Sequence, residues 1–293
     1  MKTRFAHLLL LTVTTLRLSA QDTSRLLPAE DPFDLNGTAN RGVYGSDNRI
    51  EVTEATGYEV FGKATLVKID VDDIHEEYIE AESLRAYLKW EGRMDIVSPN
   101  IRFLDQPTCG YCTGFLIAPD MLVTAGHCIS DTDDLHDYAW LLDYTSEMSF
   151  DKKSERLAYK PEQIVRATEL LYTSLDSGGD FAVVRLERPL DREAYRFRVS
   201  GKVAQGQEIY MIGSPTGLPL KFVDDARVKD NSHEDYFEAN LDAFAGNSGG
   251  PVFDTRGWVE GILVRGAEDY EVNAITRILS VAEEDQYSYY HNE

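Results

Sequence analysis

Hydrophobic residues along most of the chain come in short runs separated by glycine, proline and polar turn residues. Short apolar or β-branched runs bounded by such turns are typical of strands. Many short strands without long amphipathic helices favour an antiparallel barrel or sandwich. The predicted strands cover residues 50–52, 63–69, 115–117, 121–123, 164–171, 181–186, 208–212, 252–253 and 259–264.

Two segments have hydrophobic residues at helical spacing instead. Residues 71–90 carry apolar side chains among many acids, which predicts a surface helix with one apolar face. Residues 274–282 predict a final helix, followed by a polar tail that should fray. The apolar positions are Ile74, Tyr78, Ala81, Leu84 and Leu88 in the first segment, and Ile275, Ile278, Leu279 and Ala282 in the second.

Residues 1–20 have the pattern of a secretory signal peptide. Lys2 and Arg4 provide a basic start, and residues 6–16 form an apolar run before a small-residue cleavage site. That run is too short to span a bilayer, and no later stretch is long and apolar enough to do so. We therefore expect a secreted protein, extracellular or periplasmic, with residues 21–42 as a linker or short pro-segment.

The net charge of the chain argues against two classes of binding partner. The chain has 293 residues, of which 51 are acidic and 29 basic, so its formal net charge is -22. Nucleic-acid surfaces need clustered lysine and arginine to bind phosphate, and anionic membranes attract basic segments. The composition therefore argues against binding to nucleic acid or to a membrane surface. The hydrophobic content of 43% is ordinary for a globular protein.

Three cysteines, Cys109, Cys112 and Cys128, allow one disulfide and leave one thiol over. A zinc site at the first two would need two more ligands, and no second cysteine or histidine pair stands at suitable spacing. His75 and His233 each precede a glutamate, as in the zinc-protease motif, but neither has the second histidine of that motif. We expect no metal and no cofactor.

Ser248 lies in residues 246–251, with the sequence GNSGGP. Glycines let a substrate approach the backbone closely, and a serine becomes nucleophilic when a base takes its proton. The stretch fits the nucleophile elbow of α/β-hydrolases, but that fold places its acid and histidine after the serine. Only His291 follows here, within a polar tail, and a strand pattern follows Pro251. The elbow interpretation is therefore rejected.

Three motifs in the order histidine, aspartate, serine resemble those of trypsin-like serine proteases. The flanking segments are similar to a bacterial branch of that family that includes glutamyl endopeptidases. The resemblance covers about residues 43–280. The motifs are residues 124–128 (TAGHC), 179–186 (GDFAVVRL) and 246–251 (GNSGGP), and the flanking segments are residues 43–49 and 240–245.

This resemblance implies an all-β fold of two six-stranded antiparallel β-barrels. It adds a short helical insertion in the N-terminal half and a C-terminal helix. The N-terminal barrel would cover residues 43–195, and the C-terminal barrel with its helix and tail would cover residues 196–293. It also implies a monomer that acts on protein or peptide substrates.

The resemblance further implies a secreted serine endopeptidase. His127 would be the general base, Asp180 would orient its ring, and Ser248 would attack the scissile carbonyl. The backbone N–H groups of Gly246 and Ser248 would form the oxyanion hole. The alternative is a catalytically inactive homologue that serves as a binding or adaptor module. Degenerate homologues usually lose a triad residue, and this chain keeps all three.

The same resemblance pairs Cys112 with Cys128, because it places Cys112 on the strand that leads to the histidine motif. That disulfide would close a loop of about 15 residues and contribute on the order of 3 kcal/mol in the chain-entropy model. Cys109 would then be free. A bond between Cys109 and Cys128 is the main alternative.

Two positions depart from trypsin itself. Asn247 stands where vertebrate trypsins carry the aspartate that pairs with a newly cut amino terminus, so that ion pair is absent. Asp242 lies six residues before Ser248, where trypsin has the acid that selects arginine and lysine. Arg265 is a candidate to neutralise this acid, so a tryptic preference does not follow from it.

The expected substrate-binding strand includes Leu263, Val264, Arg265 and Gly266. Leu263 aligns with the pocket histidine of glutamyl endopeptidases. An apolar side chain cannot pair with a substrate carboxylate, so strict preference for glutamate is not expected. The next three residues would form the edge that binds the substrate backbone as an added strand.

Overall fold

The computed structural model describes residues 47–58, 62–91, 96–176, 179–266 and 269–282. The predicted signal peptide, the linker at 21–42 and the tail from residue 283 lie outside these residues. No helix in the described part of the chain is long and apolar enough to cross a membrane.

The described residues form mostly short strands, with two α-helices, α1 (Leu84–Glu91) and α2 (Asp134–Asp137). The strands are β1 (Ile50–Glu51), β2 (Thr65–Asp70), β3 (Tyr78–Glu80), β4 (Glu82–Ser83), β5 (Ile96–Val97), β6 (Pro107–Thr108), β7 (Gly110–Ala118), β8 (Met121–Thr124), β9 (Tyr138–Leu142), β10 (Phe150–Asp151), β11 (Arg156–Ala158), β12 (Ile164–Val165), β13 (Ala167–Asp176), β14 (Gly179–Leu186), β15 (Glu208–Gly213), β16 (Lys221–Asp230), β17 (Glu238–Ala239), β18 (Pro251–Asp254), β19 (Val259–Ile262), β20 (Tyr270–Val272) and β21 (Ile278–Val281).

The first large sheet has seven antiparallel strands in the order β12-β9-β2-β7-β8-β14-β13. Leu66, Val67 and Ile69 on β2 are completely buried. Because neighbouring side chains on a strand point to opposite faces, burial of both Leu66 and Val67 shows that both faces of β2 are covered.

The second large sheet has six strands, in the order β1-β16-β15-β18-β19 with β17 paired to β16. Its side chains join those of the first sheet in one core cluster. Within that cluster the ring of Phe253 stacks on Tyr210 at 5.1 Å and meets the edge of Tyr195 at 4.9 Å. Three small sheets complete the fold, in the orders β10-β11-β3, β20-β21-β5 and β4-β6.

The all-β prediction is confirmed. Strand numbers differ from two sets of six, because the first sheet has seven strands, and closure of either sheet into a barrel stays a prediction. The predicted boundary at residues 195 and 196 also stays a prediction. Two strand pairs cross it, since β1 pairs with β16 and β5 pairs with β21.

The helix predicted over residues 71–90 is shorter than expected. Only Leu84–Glu91 is helical, with Leu84 and Leu88 buried on its inner face. The segment before it is extended, because Tyr78–Glu80 pairs with β11 and Glu82–Ser83 pairs with β6. Cross-strand pairing overrides the helical spacing of the apolar residues there.

The predicted C-terminal helix over residues 274–282 is wrong. Ile278–Val281 is strand β21, which pairs with β20 on one side and β5 on the other. The side-chain oxygen of Asn273 accepts hydrogen bonds from the N–H groups of Ile275 and Thr276, as an N-cap does, and so begins a single turn. Arg277 follows with a φ of 57°, which ends any helical path.

Replacing Leu66 by alanine should lower the free energy of unfolding by about 2–5 kcal/mol, because the side chain is completely buried in the first sheet. Leu175 provides the matched control, since 54% of its surface is exposed. Leu175→Ala should change stability by less than about 0.5 kcal/mol. Urea unfolding of both variants tests the assigned core, and equal losses would contradict it.

Candidate active site

The histidine motif forms a tight turn directly after β8. Gly126–Cys128 is a single turn of 3-10 helix, and His127 is its one exposed residue. A Cβ atom at Gly126 would overlap the carbonyl oxygen of Ser174 on β13. Only glycine therefore allows the turn to lie this close to the neighbouring strand.

Lys68 on β2 contacts this turn through its buried ammonium group. Its ammonium group donates a hydrogen bond to the carbonyl oxygen of Cys128 and lies 3.4 Å from the centre of the Tyr138 ring. Asp134 on α2 is 3.9 Å away. Burial lowers the pKa of Lys68 from 10.5 to about 8, against the opposing charge of Asp134.

Asp180 holds His127 with both oxygens of its carboxylate. One oxygen accepts the backbone N–H of His127, and the other lies 2.9 Å from ring nitrogen Nδ1. A carboxylate only accepts hydrogen bonds, so this contact places the proton on Nδ1 and leaves Nε2 as the basic nitrogen. The hairpin of β13 and β14 positions the acid, with Asp180 opposite Leu175.

The serine loop, residues 246–251, is bound to the first sheet through Thr113 on β7. The backbone N–H of Thr113 donates to the carbonyl oxygen of Ser248 at 2.8 Å, and its hydroxyl donates to the carbonyl oxygen of Gly246 at 2.8 Å. A Cβ atom at Gly249, whose φ is 86°, would overlap the Thr113 carbonyl oxygen. The loop therefore lies so close to the strand that only glycine fits at position 249.

Two backbone amides of this loop are free to bind a ligand. Asn247, Gly249 and Gly250 donate their N–H groups to backbone carbonyls at 2.7–3.0 Å. By contrast, the N–H groups of Gly246 and Ser248 donate to no acceptor within the described residues. These are the two amides expected to form an oxyanion hole.

Ser248 and His127 belong to neighbouring segments. The Cys128 sulfur lies 3.7 Å from the Ser248 carbonyl oxygen, next to the histidine turn. Within the described residues, no hydrogen bond joins the Ser248 hydroxyl to the His127 ring. Catalytic hydrogen bonds of this kind are often long without substrate and shorten in the reacting complex.

The disulfide between Cys112 and Cys128 is present, with its Cα atoms 6.2 Å apart. It connects β7 to the histidine turn. Cys109 is the free and buried cysteine, and burial raises the pKa of its thiol to about 12. Ligand atoms of Cys112, Cys128 and His127 lie within 4.8 Å of one another. Because the two sulfurs are bonded to each other, they are not available as thiolate ligands for a metal.

The predicted substrate-binding strand divides into a half-buried part and an exposed part. The side chain of Leu263 packs against a core cluster of the second sheet, and Val264 packs against the disulfide. Leu263 also exchanges backbone hydrogen bonds with Gly249 and Gly250, which fixes the strand beside the serine loop. Arg265 and Gly266 are exposed.

Asp242 contacts the amino-terminal end of the described chain. Its carboxylate accepts the backbone N–H of Asn48 at 3.3 Å, and no ion pair joins it to Arg265 among the described residues. Burial raises the pKa of Asp242 from 3.8 to about 6, although the Asn48 hydrogen bond opposes the shift. The nearby charge of Asp47 raises it further.

Several residues that shape this site belong to no sequence motif. Thr113, Lys68 and Asn48 contact the serine loop, the histidine turn and Asp242 respectively. Their partners lie far away in the chain, so no local motif marks them. Asn247 is buried, and its side-chain amide has no hydrogen-bond partner within the described residues.

Comparison with known proteins gives one family match. A family model described as a trypsin-like peptidase domain matches residues 112–262. Among solved structures, the chain is similar to an inactive form of Rv3671c from M. tuberculosis H37Rv, at 16% identity over 72% of this chain and 78% of that one, with a TM-score of 0.42. It is also similar to Deg5, at 17% identity over 71% of this chain and 82% of that one, with a TM-score of 0.41. At these TM-scores neither structure informs the geometry of the site.

Asp242→Asn should stabilise the protein at pH 7 and leave it unchanged at pH 4. Because the folded pKa of about 6 exceeds the ordinary 3.8, the folded carboxyl holds a proton more tightly. Its contribution to stability is complete below about pH 4 and is lost as pH rises through 6. Asparagine keeps the acceptor oxygen without ionising, so the gain at pH 7 should be roughly 2–3 kcal/mol.

Urea unfolding at the two pH values measures this difference. Asp235→Asn is the matched control, because Asp235 is exposed. A pH-independent effect of Asp242→Asn would contradict the assigned environment.

Proposed function

The chain belongs to the family of trypsin-like peptidases, and from that premise we propose that it is a secreted serine endopeptidase that works through an acyl-enzyme. The observation that carries the proposal is the paired contact of Asp180 with His127, beside a loop in which Gly246 and Ser248 have free amides. The substrates are proteins or peptides, because the family hydrolyses peptide bonds.

In the proposed first step, Nε2 of His127 takes the proton of the Ser248 hydroxyl as its oxygen attacks the scissile carbonyl carbon. The Asp180 carboxylate stabilises the imidazolium that forms and keeps its ring in place. The imidazolium then gives its proton to the leaving amine as the peptide C–N bond breaks. An acyl group remains on Ser248.

In the second step, His127 takes a proton from a water molecule that attacks the acyl carbon. Return of this proton to the Ser248 oxygen releases the carboxylic acid product and restores the enzyme. In both steps negative charge develops on the carbonyl oxygen, and the N–H groups of Gly246 and Ser248 would bind it. Such donors are worth most when they are fixed in place before the reaction.

Substrate backbone would bind to the exposed edge at Val264, Arg265 and Gly266. Within the described residues these three make no backbone hydrogen bond, whereas Leu263 before them is fully engaged with the serine loop. An extended peptide can pair with such an edge as an additional strand. Val264 sits on the disulfide beside the histidine turn, so a peptide bound there would pass close to His127.

We do not expect one charged residue of the protein to select the substrate side chain that precedes the cleaved bond. Asp242, at the position of the trypsin acid, already accepts a hydrogen bond from Asn48 and has a raised pKa. Leu263 packs against a core cluster and offers no cation for a glutamate side chain. We propose a preference set by the shape of the pocket, with Asp242 already bound to Asn48, rather than by one charge alone.

One observation favours the alternative of a catalytically inactive homologue that acts as a binding module. In the described residues the Ser248 hydroxyl makes no hydrogen bond to His127. If that geometry persisted with a bound substrate, the base would not reach the proton. Covalent chemistry at Ser248 separates the two functions.

Purified mature protein should be labelled at Ser248 by a fluorophosphonate, and Ser248→Ala should abolish both the labelling and peptide cleavage. Asp180→Asn should lower kcat by about 10⁴-fold, because the amide favours the wrong tautomer of His127. Peptide-library cleavage followed by mass spectrometry gives the activity and the preference together.

Asp120→Asn serves as the control, since Asp120 pairs with Arg185 away from the serine loop. A chelator should not affect cleavage. A folded wild-type protein that takes no label would refute the enzymatic function, and loss of activity with chelator, restored by zinc, would refute the serine mechanism.

A further inference from the structure

Arg49 is a completely buried cation at the start of the described chain. Its guanidinium donates two hydrogen bonds to the Asp47 carboxylate, at 2.5 and 2.8 Å. The remaining terminal nitrogen has no partner among the described residues. Burying a charged group with an unsatisfied donor is unfavourable, so neighbouring contacts must hold the guanidinium in place.

The guanidinium contacts Phe244, two residues before the serine loop. Its central carbon is 3.8 Å from the centre of the Phe244 ring, within the range of a favourable cation–π contact. The segment around Arg49 is itself held fast. The Asn48 backbone N–H donates to Asp242, the Asn48 side chain donates to the Asp224 carbonyl oxygen, and Ile50 continues into β1.

Phe244 begins the turn that carries one of the two free amides. The N–H of Asn247 donates to the Phe244 carbonyl oxygen at 3.0 Å, which closes a four-residue turn. Gly246 is the third residue of this turn and has a φ of 90°, as in a type II turn. In the corresponding type I turn the peptide between Ala245 and Gly246 is rotated by about half a turn, so the Gly246 N–H would point the other way.

One contact holds this peptide in its present orientation, and a second holds the peptide before it. The carbonyl oxygen of Ala245 accepts the N–H of Thr216 at 2.5 Å. The Ala245 N–H, in the peptide between Phe244 and Ala245, donates to the Asp269 carboxylate at 2.8 Å. Because a peptide unit is planar, the direction of the Ala245 carbonyl fixes the opposite direction of the Gly246 N–H. Phe244 provides the carbonyl of that preceding peptide, so a shift of Phe244 would displace both contacts.

We propose that Arg49 is a positioning residue for the oxyanion site. Its guanidinium holds the Phe244 ring and so keeps the Phe244–Asn247 turn in the form that leaves the Gly246 N–H free. This inference rests on the proposed function, because an oxyanion site has a role only if Ser248 attacks a carbonyl. Lysine would not replace Arg49, since an ammonium lacks the planar fork with which the guanidinium binds both Asp47 oxygens.

Arg49→Met and Arg49→Lys test the proposal, with concentrations of active enzyme taken from fluorophosphonate titration. Both variants should lower kcat by about 10- to 100-fold, the loss typical of a displaced catalytic group, with KM changed by less than about threefold. Phe244→Leu should show the same loss. The double variant Arg49→Met/Phe244→Leu should be no worse than either single variant, because one interaction is removed in each case.

Lys221→Met is the matched control. Lys221 is also completely buried and pairs with Glu51 in β1, next to Arg49, but it has no contact with Phe244. This variant should be less stable yet keep its kcat per active site. A purely structural role for Arg49 would produce the same result in Arg49→Met.

Inhibitor binding gives a second readout. A peptide boronate built on the best library substrate forms a tetrahedral adduct with Ser248, whereas the product peptide does not. Arg49→Met should weaken the boronate by the same factor as kcat/KM and leave product binding unchanged. Equal weakening of both, or an unchanged kcat, would overturn the proposal.

The outcomes distinguish this proposal from the proposed function. If the wild-type protein takes no label at Ser248, the enzymatic function itself has failed. If the wild type is active and the Arg49 variants keep its kcat, only the role of Arg49 is refuted. Should Arg49→Met fail to fold, Phe244→Leu decides, and an unchanged kcat in that variant refutes the proposal.

Discussion

The site depends on one threonine that joins two distant parts of the chain. Thr113 is completely buried on β7 and uses every polar group it has. Its N–H and hydroxyl donate to Ser248 and Gly246, its hydroxyl accepts the N–H of Ser214, and its carbonyl accepts the hydroxyl of Thr124. Since a buried unpaired group costs about 1–3 kcal/mol, losing any one of these partners would destabilise the arrangement. The histidine and serine segments are thereby kept in register.

The candidate catalytic motifs are easier to predict from the sequence than the residues that hold them in place. Each motif around His127, Asp180 and Ser248 can be recognised within a few residues. Its glycines mark places where backbone segments approach closely. The seven-stranded sheet and the C-terminal strand were not foreseen, since cross-strand pairing depends on partners far along the chain. Arg49 was missed for the same reason: its partner Phe244 is nearly two hundred residues away.

The acidic composition conceals a different pattern inside the molecule. Although the net charge is -22, three of the buried charged groups are the cations Arg49, Lys68 and Lys221. Each lies against an aromatic ring and pairs with a carboxylate near the surface. Burial lowers the pKa of both lysines to about 8. The acidic surface thus encloses three buried cations, of which Arg49 contacts Phe244 and Lys68 contacts the histidine turn.

Two interactions restrain the histidine turn, and they respond to different solution conditions. The disulfide to Cys112 persists in an oxidising compartment and is broken by thiols. The hydrogen bond from Lys68 to the Cys128 carbonyl is indifferent to thiols but loses its charge as the solution becomes alkaline. Reducing conditions therefore weaken one restraint and alkaline conditions weaken the other, and the turn that carries His127 loses both only where the two conditions are combined.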